Sequence, residues 1–566
     1  MSDTLPRHAI IERLLFLIEH AAVLLLLLVV AAAAGTLVIG SRTSLALRAA
    51  LGMAVAGQTF VLLATIGALR PWTLCAFGAI SIVGGAARME KAAFRWKLVA
   101  IAAVATIPLF LLALYPPVAF DEPLYHLPFV QAMARSGALR FWADLRFPAF
   151  PQLHESLCVP AFLLAGDTAT HLVAWSEVIV LAGLMIVWPQ QRLAGILAAA
   201  LVLGNPIVVQ VATITYAEAA LMLFVAAGFY CLDRNSTAAG FLLATACSVK
   251  YLGWYFGAAA FLYLLIAGTN RRRTIPLFIG AFIAGTLPMY GRIVALTGNP
   301  FFPFLTGVFG RSPWAMSMPA TIAPATRVVN ALRLFWDISF ARERVNLQPP
   351  YSPLFAVAML ITIIAATRDR RAAFLTAICA GYIAIFTFLP QDSRYLLPLL
   401  PLVSIAAAIS VLPLLRRKMV IALSLLAVAP GFAYAGYRIA RQGPPPTTTM
   451  QRRQYLEEHI PAYRALEHRG PGRIYVCGAE QLKYFGGEDL RGDVVGPFAL
   501  GSAGVSPAGA KLGLRDGAHA GGTPALPGGP FRYLLVARDH CPLVPAEPRF
   551  ELVYADDQAT LWRLRP

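Results

Sequence analysis

Long apolar segments recur along this chain, each followed by a short polar or basic stretch, and no other feature constrains its fold as strongly. A helical segment needs about 20 mostly apolar residues to cross a lipid bilayer. Several of the segments are shorter, so they must tilt, break or lie inside the protein. The pattern predicts an all-α polytopic membrane protein with about fourteen spans. The spans are predicted at 14–38, 49–68, 72–87, 97–115, 170–188, 193–210, 216–232, 236–249, 251–268, 274–294, 353–366, 372–389, 395–413 and 419–437.

The charge composition agrees with a membrane protein and argues against a nucleic-acid-binding one. Only 13% of the 566 residues are charged, against about 25% in an average soluble domain. The formal net charge of +18 comes from basic residues that lie in short clusters between apolar segments, as the positive-inside rule describes for cytoplasmic loops. We therefore predict no nucleic-acid partner. The seven cysteines are scattered without metal-ligand spacing, and the sequence predicts no cofactor.

The basic clusters also predict an orientation in an inner or plasma membrane. When clusters such as those at 271–273 and 416–418 are placed in the cytoplasm, one self-consistent membrane topology results. The stretch between Arg234 and the first of these clusters must then cross an even number of times, so we predict a hairpin with Lys250 near its outer tip. This topology places on the outer face the N-terminus, loop 116–169, the start of span 216–232, loop 295–352 and turn 390–394.

A different composition begins after the last predicted span. The string GPPPTTT reads as a linker, and QYLEEHIPAYRALEHR after it predicts one amphipathic helix. RIYVCG at 473–478 and RYLLVA at 532–537 predict buried strands, and FELVYADDQATLWRL predicts a terminal hairpin. We expect a small α/β domain outside the membrane, with a disordered insertion at 501–530 that is rich in Gly, Ala and Pro. Within this domain Cys477 and Cys541 form either a disulfide or two unpaired thiols.

Acidic residues occur at two unusual places. In FDEPLYHLP, Asp121 and Glu122 lie where a predicted span leaves the bilayer. Partial desolvation there would make a carboxylate a better base, whereas the plainer interpretation is a solvated helix N-cap. In TYAEAALMLF, Glu218 lies just inside an apolar span at its outer end, either as a functional group or as a side chain that reaches to the interface.

Two basic residues are predicted on the same face. Lys250 in SVKYLGWY is flanked by aromatic residues, and Arg394 in LPQDSRYLLPLLPL is the basic residue of an outer turn. Ammonium and guanidinium groups both bind phosphate well. The plainer interpretations are an interfacial anchor for Lys250 and a simple pair with Asp392 for Arg394. The string TGNPFFPF opens an outer loop that its prolines stiffen, and we assign it no chemistry.

These residues together predict chemistry on a lipid-linked phosphosugar. The cations would hold the phosphate and stabilise it as it leaves, and a carboxylate would take the proton from an acceptor hydroxyl. The lipid tail of such a donor stays in the bilayer, so its enzyme must be embedded there too. A divalent metal could also bind among converging acids. We assign none, because a lysine and an arginine can neutralise the phosphate.

The motifs resemble those of the GT-C superfamily of glycosyltransferases, particularly the protein O-mannosyltransferases and the lipid A aminoarabinose transferase. The resemblance rests on the acidic pair in the first external loop, the later acid at a span end, VKYLG, GNPFFPF and RYLLPLLPL. It implies a polyprenyl-phosphate sugar donor and transfer with inversion to an acceptor that is a protein, a lipid or a glycan. The implied site consists of the catalytic residues Asp121, Glu122 and Glu218, with Asp121 as general base, and of the donor contacts Lys250, Arg394, Tyr125 and His126.

The resemblance divides the chain into three expected parts. Residues 1–90 carry extra N-terminal spans without a counterpart, 91–438 form a GT-C-like catalytic core, and 439–566 form the extracytoplasmic domain. His154 and Glu155, farther along the first external loop, are expected on a helix that lies on the surface. Two other functions stay open. One is a transporter or flippase of lipid-linked saccharides, whose charges would be spread through the depth of the bilayer. The other is a non-catalytic membrane scaffold.

Overall fold

The computed structural model describes residues 7–89, 106–142, 145, 147–310, 324–492, 532–538 and 550–564. Helices dominate these residues, and five of them are long and apolar enough to cross a membrane. The N-terminal part of predicted span 97–115 lies outside the described residues, and a helix is described at 106–113. The other helices are Arg7–Ile39, Leu45–Thr65, Pro71–Ala87, Leu127–Ser136, Leu153–Ala165, His171–Val187, Arg192–Leu203, Pro206–Val211, Glu218–Cys231, Ser236–Val249, Gly253–Ile266, Arg271–Thr297, Thr306–Phe309, Pro324–Phe340, Pro353–Ala366, Arg370–Phe386, Leu399–Val411, Arg417–Gln442, Thr449–His459, Tyr463–Glu467 and Lys483–Gly486.

The apolar pattern located the long helices well, because a run of apolar residues is a local signal. The predicted hairpin consists of Ser236–Val249 and Gly253–Ile266, joined by a short turn that begins with Lys250. Predicted span 193–210 is wrong as a continuous helix. Arg192–Leu203 and Pro206–Val211 are separate, and Asn205 between them donates to Leu201 O at 2.5 Å and accepts from Ser352 N at 2.8 Å. The span count of fourteen stays a prediction.

The predicted outer loops contain helices between the predicted spans. Leu127–Ser136 and Pro324–Phe340 were not predicted from the sequence, whereas Leu153–Ala165 carries His154 and Glu155, for which a helix was expected. The expectation that His154 and Glu155 lie on a surface helix is wrong. Both side chains are buried, because their helix packs against Leu45–Thr65 and the start of His171–Val187 inside the bundle.

A close approach between two helices depends on glycine. Gly204 ends helix Arg192–Leu203, and Gly431 lies in helix Arg417–Gln442 opposite it. A Cβ built on Gly431 would overlap the carbonyl oxygen of Leu203, and one built on Gly204 would overlap that of Ala427. The two backbones therefore touch, and only residues without a side chain fit at the contact.

The C-terminal part contains the predicted small α/β domain. The strands are β1 Ile474–Cys477, β2 Leu490–Gly492, β3 Tyr533–Ala537, β4 Phe550–Ala555 and β5 Ala559–Leu564. They form one sheet in the order β2-β1-β3-β5-β4, in which β1 is parallel to β2 and β3, and β5 is antiparallel to β3 and β4. The predicted strands and the terminal hairpin are thus confirmed.

Two further predictions concern a helix and the cysteines of this domain. The single predicted amphipathic helix is wrong, because it is split into Thr449–His459 and Tyr463–Glu467 at Pro461 and the left-handed Ala462. Cys477 is disulfide-bonded. Its expected partner Cys541 and the predicted insertion at 501–530 lie outside the described residues.

The domain contacts the first external loop directly. Residues Glu122–His126 form one π-helical turn, and the segments Glu480–Leu482 and Lys483–Gly486 pack against it. Leu124 of this turn is buried in the core of the C-terminal domain together with Leu456. This turn, which begins with Glu122 directly after Asp121, is therefore held between the helix bundle and the C-terminal domain.

We predict that Gly431→Ala destabilises the protein by about 2 kcal/mol, because the added methyl group must push two touching backbones apart. Gly436→Ala is the matched control, since Gly436 lies on the same helix with no atom within 4 Å of a built Cβ. Thermal unfolding of the purified protein in detergent measures both variants. Equal melting temperatures for the two variants would contradict the close approach.

Candidate active site

Asp121, Glu218, Lys250 and Arg394 come together although they are far apart in the sequence. Glu218 is the first residue of helix Glu218–Cys231, and Lys250 immediately follows helix Ser236–Val249. Asp121 precedes the π-helical turn, and Arg394 lies in the turn Ser393–Leu396. All four therefore lie at helix ends, where the backbone leaves the bundle.

Arg394 is the centre of the cluster. Its Nη1 donates to Asp121 Oδ2 at 2.9 Å and lies 4.0 Å from Glu218 Oε1. Its Nε and Nη2 donate to Asp392 Oδ2 at 3.0 and 2.8 Å. The plainer interpretation, a pair with Asp392 and nothing more, is wrong, because the same guanidinium also binds the first external loop.

Lys250 and Glu218 form a second ion pair, with Nζ donating to Oε1 at 2.5 Å. The Glu218 side chain is 1% exposed and that of Lys250 is 12% exposed, so neither side chain simply reaches to solvent. Burial opposes the charge of the ammonium, but the charge and hydrogen bond of Glu218 together with Tyr395 raise the pKa of Lys250. Burial opposes Arg394 in the same way, and the carboxylates of Glu218 and Asp121 raise its pKa.

Aromatic rings form the walls of this cluster. The Arg394 guanidinium carbon lies 4.6 Å from the centre of the Tyr216 ring, and Lys250 Nζ lies 5.4 Å from the centre of the Tyr395 ring. Both distances suit a cation–π interaction. The Tyr216 hydroxyl also accepts a hydrogen bond from the backbone N–H of Asp121 at 3.1 Å. Tyr216 thus positions both partners of the Arg394–Asp121 pair, a role that the sequence analysis did not predict.

Glu122 faces away from the two cations. Its carboxylate accepts hydrogen bonds from the backbone N–H of Thr215 at 2.5 Å and of Ala119 at 3.0 Å, and His171 Nε2 lies 2.8 Å from it. It lines a separate cavity of about 230 Å³, together with His171 and Arg438. Among the described residues, the Glu122 side chain contacts none of Glu218, Lys250 and Arg394, and its hydrogen bonds connect the first external loop to the segment before Glu218.

Tyr125 and His126 lie beside the cluster and contact other aromatic residues. Tyr125 packs against Phe147 and against the His126 ring, with ring centres 5.0 and 4.2 Å apart. His126 Nδ1 lies 2.6 Å from Glu155 Oε1. The predicted donor contact His126 is thus held by an acid that the sequence analysis had placed on the surface.

A second buried His–Glu pair was not predicted from the sequence. His154 Nδ1 lies 3.1 Å from Glu177 Oε1, and both side chains are fully buried. The signal was present, because Glu177 is an ionisable residue inside the apolar segment HLVAWSEVIVLAG, as Glu218 is inside its own. Within the described ranges, no group of three or more His, Cys, Asp and Glu residues is arranged to hold a metal ion.

Comparison with known proteins identifies the fold. No protein-family model and no curated protein sequence matches the chain. Among solved structures the chain is similar to ArnT from Cupriavidus metallidurans with bound undecaprenyl phosphate, with a TM-score of 0.53 and 14% identity over 83% of this chain and 98% of that one. ArnT in the apo state gives a TM-score of 0.53 and 13% identity over 82% and 97%.

ArnT is a lipid A aminoarabinose transferase of the GT-C superfamily. The chain studied here has the same fold, that of a multi-pass membrane protein with a small C-terminal sheet region. The resemblance that the motifs indicated is therefore confirmed at the level of the fold.

We predict that Glu218→Gln destabilises the protein by about 3 kcal/mol, because the buried Lys250 ammonium would lose its counter-charge. Adding Lys250→Met to this variant removes the unpaired charge and should restore part of the loss. Thermal unfolding of both variants in detergent tests the pair. If the double variant unfolds no later than the single one, the two residues do not depend on each other.

Proposed function

We propose that this protein is a membrane-embedded glycosyltransferase that moves a sugar from a polyprenyl-phosphate-linked donor to an acceptor hydroxyl at the outer membrane face, with inversion. One observation carries the proposal. Two cations, Lys250 and Arg394, and two carboxylates, Asp121 and Glu218, share one site at the ends of membrane helices in a GT-C fold. The undecaprenyl phosphate bound in the ArnT structure supports a polyprenyl-phosphate partner here as well.

The two cations suit the phosphate of the donor. Lys250 uses one of its three N–H donors on Glu218. Its other two donors make no hydrogen bond to the described residues, so they can reach a phosphate oxygen. Arg394 is held in place by Asp121 and Asp392, so it is oriented before any ligand arrives. Preorganised positive charge favours the phosphate most as it leaves, when its negative charge is highest.

Among the three carboxylates near Arg394, Asp121 is best placed to act as the general base. Its side chain is 16% exposed, whereas Glu218 is 1% and Asp392 is 5% exposed, so an acceptor hydroxyl reaches Asp121 most easily. A phosphate on the neighbouring cations adds negative charge beside Asp121, which favours proton uptake. Direct attack by the hydroxyl on the side opposite the phosphate gives inversion in one displacement.

The helix ends support an outer location of this site in an inner or plasma membrane. The helix that begins with Glu218 is followed by Arg234, and the helix that precedes Arg394 begins at Arg370. If the basic ends face the cytoplasm, the site and the C-terminal domain lie outside. We further propose the catalytic core over 91–438 and the extracytoplasmic domain over 439–566. The spans within 1–90 would then support the core, since Leu45–Thr65 packs against Leu153–Ala165.

A second candidate function is transport of a lipid-linked saccharide. The buried pair His154–Glu177 favours it, because Glu177 lies well inside helix His171–Val187 and extends the buried polar groups into the bundle. Transporters use such groups at membrane depth. Reconstituted protein that moves a fluorescent lipid-linked saccharide across vesicles without breaking its phosphate bond would favour this function.

The enzyme assay uses purified protein, a panel of radiolabelled polyprenyl-phosphate sugars and a cell-envelope extract as the source of acceptors. We expect transfer of label from at least one donor, with release of the carrier phosphate. Asp121→Asn should lower the rate by about 100-fold or more, because general base catalysis is lost. Asp233→Asn is the control, since Asp233 lies at the other end of the Glu218 helix. Full activity of Asp121→Asn would exclude Asp121 as the base.

A binding experiment tests the phosphate contact separately. Lys250→Gln should weaken the binding of undecaprenyl phosphate about 30-fold, which corresponds to roughly 2 kcal/mol for a hydrogen bond between charged groups. Arg371→Gln is the control, because Arg371 is an exposed cation at the opposite end of the bundle. Equal dissociation constants for the two variants, measured by ligand-dependent thermal stability, would remove Lys250 from the phosphate site.

A further inference from the structure

The short distance and the burial of the His126–Glu155 pair define which imidazole nitrogen carries the proton. His126 Nδ1 lies 2.6 Å from Glu155 Oε1, and the two side chains are 2% and 4% exposed. Because the carboxylate accepts a hydrogen bond from Nδ1, the proton of a neutral imidazole resides on Nδ1 and the lone pair on Nε2. Nε2 is therefore the ring atom at which a further proton would bind.

The atoms that could take up that proton have no other partner in the described part of the chain. His126 Nε2, Glu155 Oε2 and Glu218 Oε2 are buried, and none of them makes a hydrogen bond there. The two polar atoms of the Gln152 side chain are also buried and make no hydrogen bond in the described part of the chain. Buried polar atoms without partners are rare in folded proteins, and each calls for an explanation. A proton can bind at such an atom without any cavity beside it.

The pair also lies within electrostatic reach of the proposed site. The His126 ring packs on Tyr216, with ring centres 5.4 Å apart, and the Tyr216 ring also contacts the Arg394 guanidinium. His126 acts electrostatically on the Glu218 carboxylate, which binds Lys250. A charge that appears on His126 is therefore felt by the groups proposed to hold the phosphate.

Other ionisable groups near His126 come from several elements. Its own turn supplies Tyr125, helix Leu153–Ala165 supplies Glu155, and the segment around Glu218 supplies Tyr216 and Glu218. The C-terminal segments that pack on the turn carry Glu480 and Lys483, and Lys483 Nζ donates to the carbonyl oxygens of Gly487 and Leu490 within its own domain.

We propose that His126, oriented by Glu155, stores the proton that the transfer reaction releases. This inference rests on the proposed function. The acceptor O–H bond breaks, its oxygen bonds to the anomeric carbon, and the bond from that carbon to the phosphate oxygen breaks. The carrier phosphate gains one negative charge, and the proton that Asp121 takes from the acceptor passes to His126 Nε2. The new imidazolium offsets the new phosphate charge, so the buried site keeps its net charge through the reaction.

A proton left on Asp121 would weaken its charge-assisted hydrogen bond from Arg394. The His126 imidazole can take that proton over, because the new imidazolium would face the Glu155 carboxylate. His126 is therefore a residue that acts through Asp121 rather than one that touches the acceptor.

The first test does not depend on activity. Protein labelled with ¹⁵N-histidine is placed in nanodiscs at pH 8, and undecaprenyl phosphate, the expected product, is added. We expect the His126 signal, assigned by its loss in His126→Asn, to change from neutral imidazole to imidazolium. In Glu155→Gln this change should be absent, and the His154 signal should not move. A His126 signal that stays neutral with bound product would overturn the proposal.

The second test uses the transfer assay and a matched pair of variants. His126→Asn keeps an N–H close to the Nδ1 position but cannot bind a proton, and Glu155→Gln keeps the shape of the acid. Both should lower kcat at least tenfold with an unchanged KM for the donor. Glu177→Gln, which alters the other buried His–Glu pair, should leave kcat within about twofold.

The two tests separate failure of this inference from failure of the proposed function. Wild-type protein that transfers no sugar would contradict the transferase function, and the nuclear magnetic resonance experiment would still decide whether His126 gains a proton when phosphate binds. Suppose that the wild-type protein is active and that Glu155→Gln and Glu177→Gln lose equal kcat at matched melting temperatures. The His126–Glu155 pair would then have only a structural role.

Discussion

The guanidinium of Arg394 connects chain segments that are separated by hundreds of residues, and the arrangement of the site depends on this one group. It binds Asp121 of the first external loop and Asp392 of its own turn, and it lies near Glu218 at the start of a helix. A buried charge is costly unless it is paired and hydrogen-bonded. The buried charges are therefore paired only when the loop with Asp121, the start of the Glu218 helix and the turn with Asp392 meet around this cation.

The loop that carries Asp121 is held on both of its sides. On the bundle side, Glu122 accepts hydrogen bonds from backbone N–H groups and lies beside His171. On the other side, Leu124 is buried in the core of the C-terminal domain. Adjacent carboxylates thus have separate tasks, since Glu122 anchors the loop while Asp121 remains the most accessible acid on Arg394. An acid held in this way needs little reorganisation when a substrate binds, which favours catalysis.

Two buried His–Glu pairs distinguish this bundle from a plain assembly of apolar helices. His126–Glu155 lies beside the proposed phosphate site, and His154–Glu177 lies deeper among the helices. Adjacent residues of one helix, His154 and Glu155, contribute to different pairs. Ionisable groups at such depth are expensive and are kept where they have a function or complete partners. The pair near the site has buried atoms without hydrogen-bond partners among the described residues, which suits the proposed transfer reaction because that reaction releases a proton.

The sequence by itself determined which segments are long apolar helices, where the small α/β domain lies and which acids and cations stand at helix ends. These are local properties, because hydropathy and charge are read over a few residues. Only the tertiary structure decided that Arg394 bridges to Asp121, that Glu122 faces away, that the helix near Asn205 breaks, and that His154 and Glu155 are buried. Each of these outcomes depends on a partner far away in the chain. The direction of a side chain is set by the neighbours that satisfy its charge and hydrogen bonds, and those neighbours exist only once the helices have packed.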